Sequence, residues 1–466
     1  MIYPTFKITK PIRIIELFGG YGSQLLALKY IGANVEQWKL CEWAIKSIQA
    51  YKDLHCSDDN TDYSKDLTIE EIKEYLYKKG ISSNYNDPMT QAQVNRLGEK
   101  QARTIYNNIQ ATHNLVDIQQ TKGKDLCIKD KDKFTYLLTY SFPCQDLSLA
   151  GNRKGMSDTA TRSGLLWEVE RILMECRELN QLPDVLLMEN VPMVHGEGAK
   201  EDFNKWQLKL EELGYKNYWK DLIATDYGIP QTRNRCFMVS ILGDYNYTFP
   251  KPIPLKLKLK DMLDDNVDEK YYLSDKMINF FVSNEQKQKE TGNGFRFNVT
   301  NGDTIAKTIT TSAGSRMDDN FISPKVLGGI GEKDSNKNTQ WKQQNRVYDD
   351  NVSIAVTTCY NPYYKMENKV KIVGNYSSSN HEASRIIDPN YVAPTFKENH
   401  NTINAIQQTD LKIRKLTPRE CFRLMGVKDE DYEKIAKNQS DSSLYHLAGD
   451  SIVCQGVLTS IFKEMM

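Results

Sequence analysis

Ile12-Arg13-Ile14-Ile15-Glu16-Leu17-Phe18-Gly19-Gly20-Tyr21-Gly22-Ser23 is the stretch on which the fold turns. Ile12 to Leu17 is a short, β-branched apolar run, which predicts a buried strand. Phe18 to Ser23 breaks it with three glycines. Leu25, Leu26, Leu28, Lys29 and Ile31 then follow at helical spacing, and Gly32 supplies a helix stop. Glycines at a strand-to-helix turn let backbone approach a ligand closely, although a plain tight turn would use the same residues.

A second strand ends near Cys41, and Glu42-Trp43 stands at its tip. An acidic residue about 20 positions after a glycine turn suits two ribose hydroxyls. Trp43 is placed to stack on an adenine. Asp117-Ile118 is a further candidate, the carboxylate accepting from an adenine amine and Ile118 covering the ring. Between these points, residues 57–112 read as an insertion. Within it Thr68-Ile69-Glu70-Glu71 is a capping box, Gly80 a C-cap, and Ile69, Ile72 and Leu76 share one face. This predicts a helix with a structural role.

Strand and helix signals keep alternating. Phe134–Tyr140, Asp184–Met188 and Arg235–Leu242 read as strands, and Ser163–Leu179 as an amphipathic helix. Such alternation predicts an α/β domain with a mostly parallel sheet. After Phe249 the character changes. Pro250, Pro252 and Pro254 punctuate the chain, and residues 250–410 are rich in Asn, Thr, Lys and Tyr with short strand-like runs. Ala306-Lys307-Thr308, Ala355-Val356-Thr357 and Ala393-Pro394-Thr395 each sit in a β-like stretch. Arg346-Val347-Tyr348 and Arg385-Ile386-Ile387 precede the last two, which suggests related hairpins in a β-rich domain. Helical periodicity returns from 411 to 466.

The length of 466 residues already implies more than one core. Charged residues at 26% and apolar residues at 39% place the chain among globular proteins. No uninterrupted apolar run approaches the roughly 20 residues of a membrane span, and the N-terminus has no signal-peptide core, so a cytoplasmic protein with no membrane partner is expected. Nine cysteines with no Cys-x-x-Cys pair argue for reduced thiols and against a zinc site, so no metal is expected. Net charge is zero. A basic cleft balanced by an acidic back face gives the same total, so evidence for a nucleic-acid partner must come from motifs.

Ser141-Phe142-Pro143-Cys144-Gln145 places a cysteine directly after proline, at the end of an apolar strand. A free thiol, with a pKa of about 8.5, needs help to become a thiolate nucleophile. Most single cysteines are inert packing groups. The flanking Pro143 and Gln145, and the loop carrying Gly151 and Gly155, favour a reactive one. Leu186-Leu187-Met188-Glu189-Asn190-Val191 sets a carboxyl group at another strand end, where ligands bind in such sheets. Gln231-Thr232-Arg233-Asn234-Arg235 puts two arginines at i and i+2, one strand face, a pattern suited to clamping phosphate or carboxylate.

Together these residues resemble the cytosine-5 DNA methyltransferases, bacterial or phage type. The match runs in order through Phe18 to Gly22, Glu42-Trp43, Asp117-Ile118, Pro143-Cys144-Gln145, Glu189-Asn190-Val191 and Gln231-x-Arg233-x-Arg235. It continues through Leu416-Thr417-Pro418-Arg419-Glu420 and ends at Gly449-Asp450-Ser451-Ile452-Val453. The resemblance implies a Rossmann-like S-adenosylmethionine-dependent domain in residues 1–249, completed by 411–466, around a target-recognition domain at 250–410. It implies double-stranded DNA as substrate, a monomer, and methylation of carbon 5 of a flipped cytosine through a Cys144 adduct. Glu189 would hold the N3 edge. Arg235 would contact the base and Arg233 would support the site and meet a phosphate. Phe18, Gly20, Gly22, Glu42, Trp43, Asp117, Ile118, Pro143, Leu166, Asp450, Ser451 and Ile452 would line the cofactor site. The loop from Cys144 through Arg162 would close over the base, with Arg153 and Lys154 near phosphate. Arg316, Arg346 and Arg385 are candidate base readers.

Two departures stand out. Asp450 occupies a position where the family usually has Asn, and the 57–112 insertion lengthens the usual spacing. Three other readings remain open. An RNA cytosine-5 methyltransferase shares the catalytic motifs but generally lacks so long a recognition segment. A silent DNA-binding module is disfavoured by the intact catalytic set. A Rossmann oxidoreductase is suggested only by the glycine turn. The motifs do not distinguish a restriction-system partner from an orphan or phage enzyme.

Overall fold

Alternating strand and helix signals become a doubly covered sheet. In the computed structural model, residues 3–142, 163–290, 296–300, 302–323 and 413–466 are described, with the backbone of short strands between 326 and 387. Strands β1 (Ile12–Leu17), β2 (Val35–Cys41), β3 (Thr135–Tyr140), β4 (Val185–Asn190), β5 (Tyr215–Ile223) and β6 (Asn234–Leu242) form one sheet in the order β2-β1-β3-β4-β6-β5. β1 pairs in parallel with β2 and β3, and β3 with β4. β6 runs antiparallel between β4 and β5. β5, with partly exposed residues and no clean alternation, is the strand that periodicity does not reveal.

Residues pointing to one sheet face, including Ile15, Leu17, Tyr136, Leu138, Met188 and Met238, pack with helices α6 (Leu166–Glu178) and α7 (Lys200–Glu212). Their neighbours Ile12, Ile14, Leu137 and Leu187 are buried too, so both faces are covered, as parallel strands require. Helix α1 (Ser23–Tyr30) packs with α12 (Thr459–Met465) from the far end of the chain. Helices α9 (Pro418–Leu424), α10 (Asp429–Ala436) and α11 (Asp441–Asp450) complete this return.

The insertion packs against α2 (Ile45–His55), which precedes it, to form a second core. Helices α2, α3 (Ile69–Lys79), α4 (Gln91–Asn95) and α5 (Glu99–Ala111) enclose Ile48, Ile72, Leu76, Val94, Ala102, Ile105 and Ile109. The expected capping box forms, with Thr68 Oγ1 accepting from the Glu71 amide, and Gly80 closes α3 in the left-handed conformation. Ile72 and Leu76 are fully buried, and Ile69 packs at the edge.

The chain divides into two units. The first comprises residues 1–262, 305–313 and 418–466, and the second 263–304 and 314–417. These divisions differ from boundaries at 249 and 411. The Pro-rich segment to 262 stays with the first unit, and 305–313 returns to it as a strap: the Ala306 amide donates to the Pro230 carbonyl, and the Thr232 amide to the Ala306 carbonyl. Ala306-Lys307-Thr308 is therefore no hairpin of the second unit. Its two supposed counterparts, 355–357 and 393–395, lie outside the described residues.

The second unit holds helix α8 (Asp275–Glu290), which the sequence reading does not anticipate. Strands β7 (Val299–Thr300), β8 (Phe321–Ile322) and β14 (Arg414–Lys415) form a sheet beside it, around Phe281, Phe321 and Ile413. The remaining strands are β9 (Val326–Gly329), β10 (Arg346–Tyr348), β11 (Tyr363–Tyr364), β12 (Ile372–Asn375) and β13 (Arg385–Ile387). β9, β10 and β11 form one small sheet, and β12 with β13 another. Arg346 and Arg385 thus open β10 and β13, and Arg316 is exposed in a turn whose amide is held by Asp319.

Candidate active site

All the parallel strands end at one edge of the sheet, and the candidate residues gather there. The strand order reverses between β1 and β3, the point where open α/β sheets leave a crevice. Phe18, after β1, has a left-handed φ of 57° and its carbonyl meets the Ser141 hydroxyl, after β3, at 3.5 Å.

The glycine turn is pinned from two sides. Glu42 accepts from the Gly20 amide at 2.9 Å and from the Ala44 amide at 2.8 Å. Burial, with the charge of Asp450 adding to it, pushes the Glu42 carboxyl up to about 7 against the opposing pull of the Ala44 and Gly20 amides. Gly22, at φ 82°, leads into α1, and a Cβ there would lie 2.5 Å from His55 Nε2 and 2.6 Å from the Tyr51 ring. His55 Nε2 stands 3.0 Å from the carbonyls of both Tyr21 and Gly22, so that nitrogen carries the proton and donates. Its Nδ1 then accepts from Lys29 Nζ at 3.2 Å, and burial keeps the ring neutral. Beneath the turn, Glu16 is fully buried and accepts from the Tyr51 hydroxyl and the Leu25 amide. A Cβ on Gly20, by contrast, would meet nothing within 4 Å. The turn is rigid below and open above.

Trp43 is half-buried against the insertion core, and Ile118 lies in the main core. Asp117 accepts locally, from the Gln119 amide and the Gln120 side chain. Each of its oxygens keeps lone-pair capacity for another donor.

Glu189, near the end of β4, is 8% exposed and pairs with Arg235 Nε at 3.1 Å. Burial raises its carboxyl pKa although Arg235 and Arg233 oppose the shift. Asn190 next to it donates to the Phe142 carbonyl at 3.0 Å, fixing the chain one residue before Pro143. Pro143, Cys144 and the loop to Arg162 lie outside the described residues.

The two arginines do not act as a pair on one strand face. β6 begins at Asn234, so Arg233 precedes it. Arg233 is 4% exposed and donates to the carbonyls of Ile309, Gly449 and Ser451. Gln231 works likewise, donating to the Leu424 carbonyl and accepting from the Ile309 amide. Arg235 makes the ion pair with Glu189, and the charge of Arg233 is felt there as well.

The final motif is similarly divided. Ser451 and Ile452 are buried, and the Ser451 hydroxyl donates to the Ala448 carbonyl. Asp450 alone is exposed, 3.3 Å from His446 Nε2. Leu166 is fully buried and packs in the core with Val169 and Ile172.

Sequence reasoning missed several residues here. Asn190 was visible only as part of a motif, and Tyr51, His55 and His446 carry no local signal. Among the described residues, His195, Asp221 and Cys236 also bring ligand-type atoms within 4.8 Å of one another. His195 donates to Asp221 at 3.0 Å, and burial pushes the Cys236 thiol well up, so the group is satisfied without a thiolate.

The family description "C-5 cytosine-specific DNA methylase" matches residues 79–466. Type II methyltransferase M2.ScrFI of Lactococcus lactis subsp. cremoris is 32% identical over 97% of this chain and 99% of its own length. Orphan methyltransferase M.SssI of Spiroplasma monobiae is 35% identical over 68% of this chain and 80% of its own. Among solved structures, Entamoeba histolytica methyltransferase EhMeth aligns over 98% of both chains at 14% identity, with a TM-score of 0.53, a likeness of fold.

Proposed function

Because this chain belongs to the C-5 cytosine-specific DNA methylase family, we propose that Cys144 is the nucleophile with which it methylates cytosine in duplex DNA. DNA cytosine-5 methylation is the family's activity. The roles of individual residues are our reading. The observation that carries it is the Glu189–Arg235 pair, set beside Asn190, which anchors the chain at Phe142 directly before Pro143-Cys144.

Carbon 5 of cytosine is a weak nucleophile, so the chain must activate it. The Cys144 thiolate adds to carbon 6, and the electron pair moves toward carbon 5 and the N3 edge. Glu189, its carboxyl raised by burial, donates a hydrogen bond to N3 and so stabilises that charge. Arg235 orients Glu189 and faces the flipped base. Bound S-adenosylmethionine would supply the electrophilic methyl group to carbon 5 and leave as S-adenosylhomocysteine. Loss of the carbon 5 proton to water then expels Cys144 as thiolate and restores the aromatic ring.

The residues present fit that cofactor. The space above Gly20 admits a ligand against backbone, and Glu42, whose oxygens each accept one amide and keep a lone pair, would accept from a ribose. Trp43, Asp117 and Ile118 would receive the adenine, with Phe18 and Pro143 toward the methyl end and Asp450 toward the methionine.

The test is transfer of labelled methyl from S-adenosylmethionine to unmethylated duplex DNA, with matched RNA as competitor. Wild type should label cytosine in DNA, Cys144→Ala should be silent, and Glu189→Gln should fall by about 10²–10⁴ in kcat. Full activity in Cys144→Ala, or label confined to RNA, would overturn the reading.

A further inference from the structure

The insertion reaches back to the cofactor pocket through one aromatic residue. Its loop after α3 is stitched to the chain that follows β2. The Ser82 amide donates to the Trp43 carbonyl at 2.8 Å, and the Ile45 amide to the Ser82 carbonyl at 2.9 Å. The loop is then folded tightly. Asn84 Oδ1 accepts from the amides of Asn86 and Asp87, and the Ser82 hydroxyl donates to the Asp87 carbonyl at 2.7 Å. Tyr85 sits at the apex of this turn with a left-handed φ of 63°, a conformation that a bulky side chain rarely adopts.

The strain places its ring. Tyr85 stacks on His446 of α11 with centroids 3.7 Å apart and planes 31° apart. His446 in turn pairs with Asp450. The Tyr85 hydroxyl is raised in pKa by burial and then by the charge of Glu42, with Asp450 adding to it. The pairing of Ser82 with Trp43 and Ile45 ties the loop to the chain just after Glu42, and the stack on His446 sets the Tyr85 ring one residue contact from Asp450. The back of the same loop is near Asp117: a Cβ on Gly80 would lie 3.4 Å from Asp117 Oδ2. The insertion thus borders both the adenine candidates and the Glu42–Asp450 side.

We propose that Tyr85 is a cofactor-binding residue, its ring forming the wall over the ribose and methionine portion of S-adenosylmethionine between Glu42 and Asp450. The inference rests on the reading of Glu42 as the ribose ligand. A ring beside a positively charged sulfonium and ammonium gains from the ring quadrupole, and a preset turn holds it there at little further entropic cost. The insertion then has a function: it sets cofactor affinity.

The test is equilibrium binding of S-adenosylmethionine and S-adenosylhomocysteine to the full chain by calorimetry, with steady-state kinetics on duplex DNA. Tyr85→Ala should weaken S-adenosylmethionine by about tenfold and raise its KM equally, and should weaken S-adenosylhomocysteine, which keeps the ammonium but lacks the sulfonium charge, by less. Tyr85→Phe should bind within about threefold of wild type. Should Tyr85→Ala not fold, Tyr85→Leu keeps the bulk and should still lose affinity. Cofactor affinity within twofold of wild type in a folded Tyr85→Ala or Tyr85→Leu overturns the proposal, as does a loss confined to thermal stability. Glu42→Gln separates the two readings. If it weakens cofactor binding while the Tyr85 variants do not, only this inference fails. If it too leaves binding unchanged, the pocket itself was misassigned.

Discussion

Glu42 shows how much one side chain depends on its surroundings. Its position at a strand tip is legible in the sequence, because strands of this kind end where ligands bind. One of its amide donors, Ala44, is two residues away, and the other, Gly20, comes from the turn after the neighbouring strand. Its titration is a different matter, since burial and the distant Asp450 lift the carboxyl to about 7. A ribose acceptor must be ionised, so protonation competes with binding. Cofactor affinity should accordingly hold above pH 7 and fall as pH drops, approaching tenfold per unit below about pH 6. Titration calorimetry between pH 5.5 and 8.5 measures this. Glu42→Gln should flatten the profile, and Asp450→Asn should move its acid limb to lower pH. An unchanged limb in Asp450→Asn would mean that Asp450 does not act on Glu42. Tyr85 has the opposite legibility, since its only sequence context is an Asn-rich turn in an insertion.

Among the elements, β6 and its leader behave differently from their pattern. The i, i+2 spacing of Arg233 and Arg235 suggests a two-pronged clamp. In the fold the strand begins between them, and Arg233 becomes a tie. Its guanidinium binds carbonyls from the strap at 309 and from the turn after α11 at 449 and 451. Gly449 belongs to the same joint, because a Cβ there would lie 2.2 Å from the Thr311 amide nitrogen. Removing the arginine strands several buried acceptors at once. Arg233→Ala should lose about 3 kcal/mol or more of stability, seen in urea unfolding, while Arg233→Lys should recover only part of it. Unfolding midpoints equal to wild type would show that the tie is not structural. The capping box of α3 needed no such context, since Thr68 and Glu71 are three residues apart and find each other within one turn.

At the scale of the molecule, a buried carboxyl beneath the glycine turn couples stability to pH. Glu16 is fully buried, and its pKa is raised to about 7 by desolvation, against an ordinary value of 4.5. The stability that it contributes is complete below pH 4.5 and is lost as pH rises through 7, about 3 kcal/mol in all. Glu16→Gln, neutral throughout, should therefore gain on wild type between pH 5 and 8 in denaturant titrations. A stability difference independent of pH would show that Glu16 does not titrate there. Across the whole chain, the α/β alternation, strands β1 to β4 and β6, the insertion helix and the family motifs are legible residue by residue, because burial periodicity, capping and strand-end chemistry are local properties. It takes the folded chain to bring 305–313 back to the first unit as a strap, to make Arg233 a tie, to bury Leu166, Ser451 and Ile452, and to set Tyr85 on His446 across some 360 residues. Those contacts join segments far apart in sequence, and what fixes them is the mutual fit of packed surfaces, which no local pattern of residues encodes.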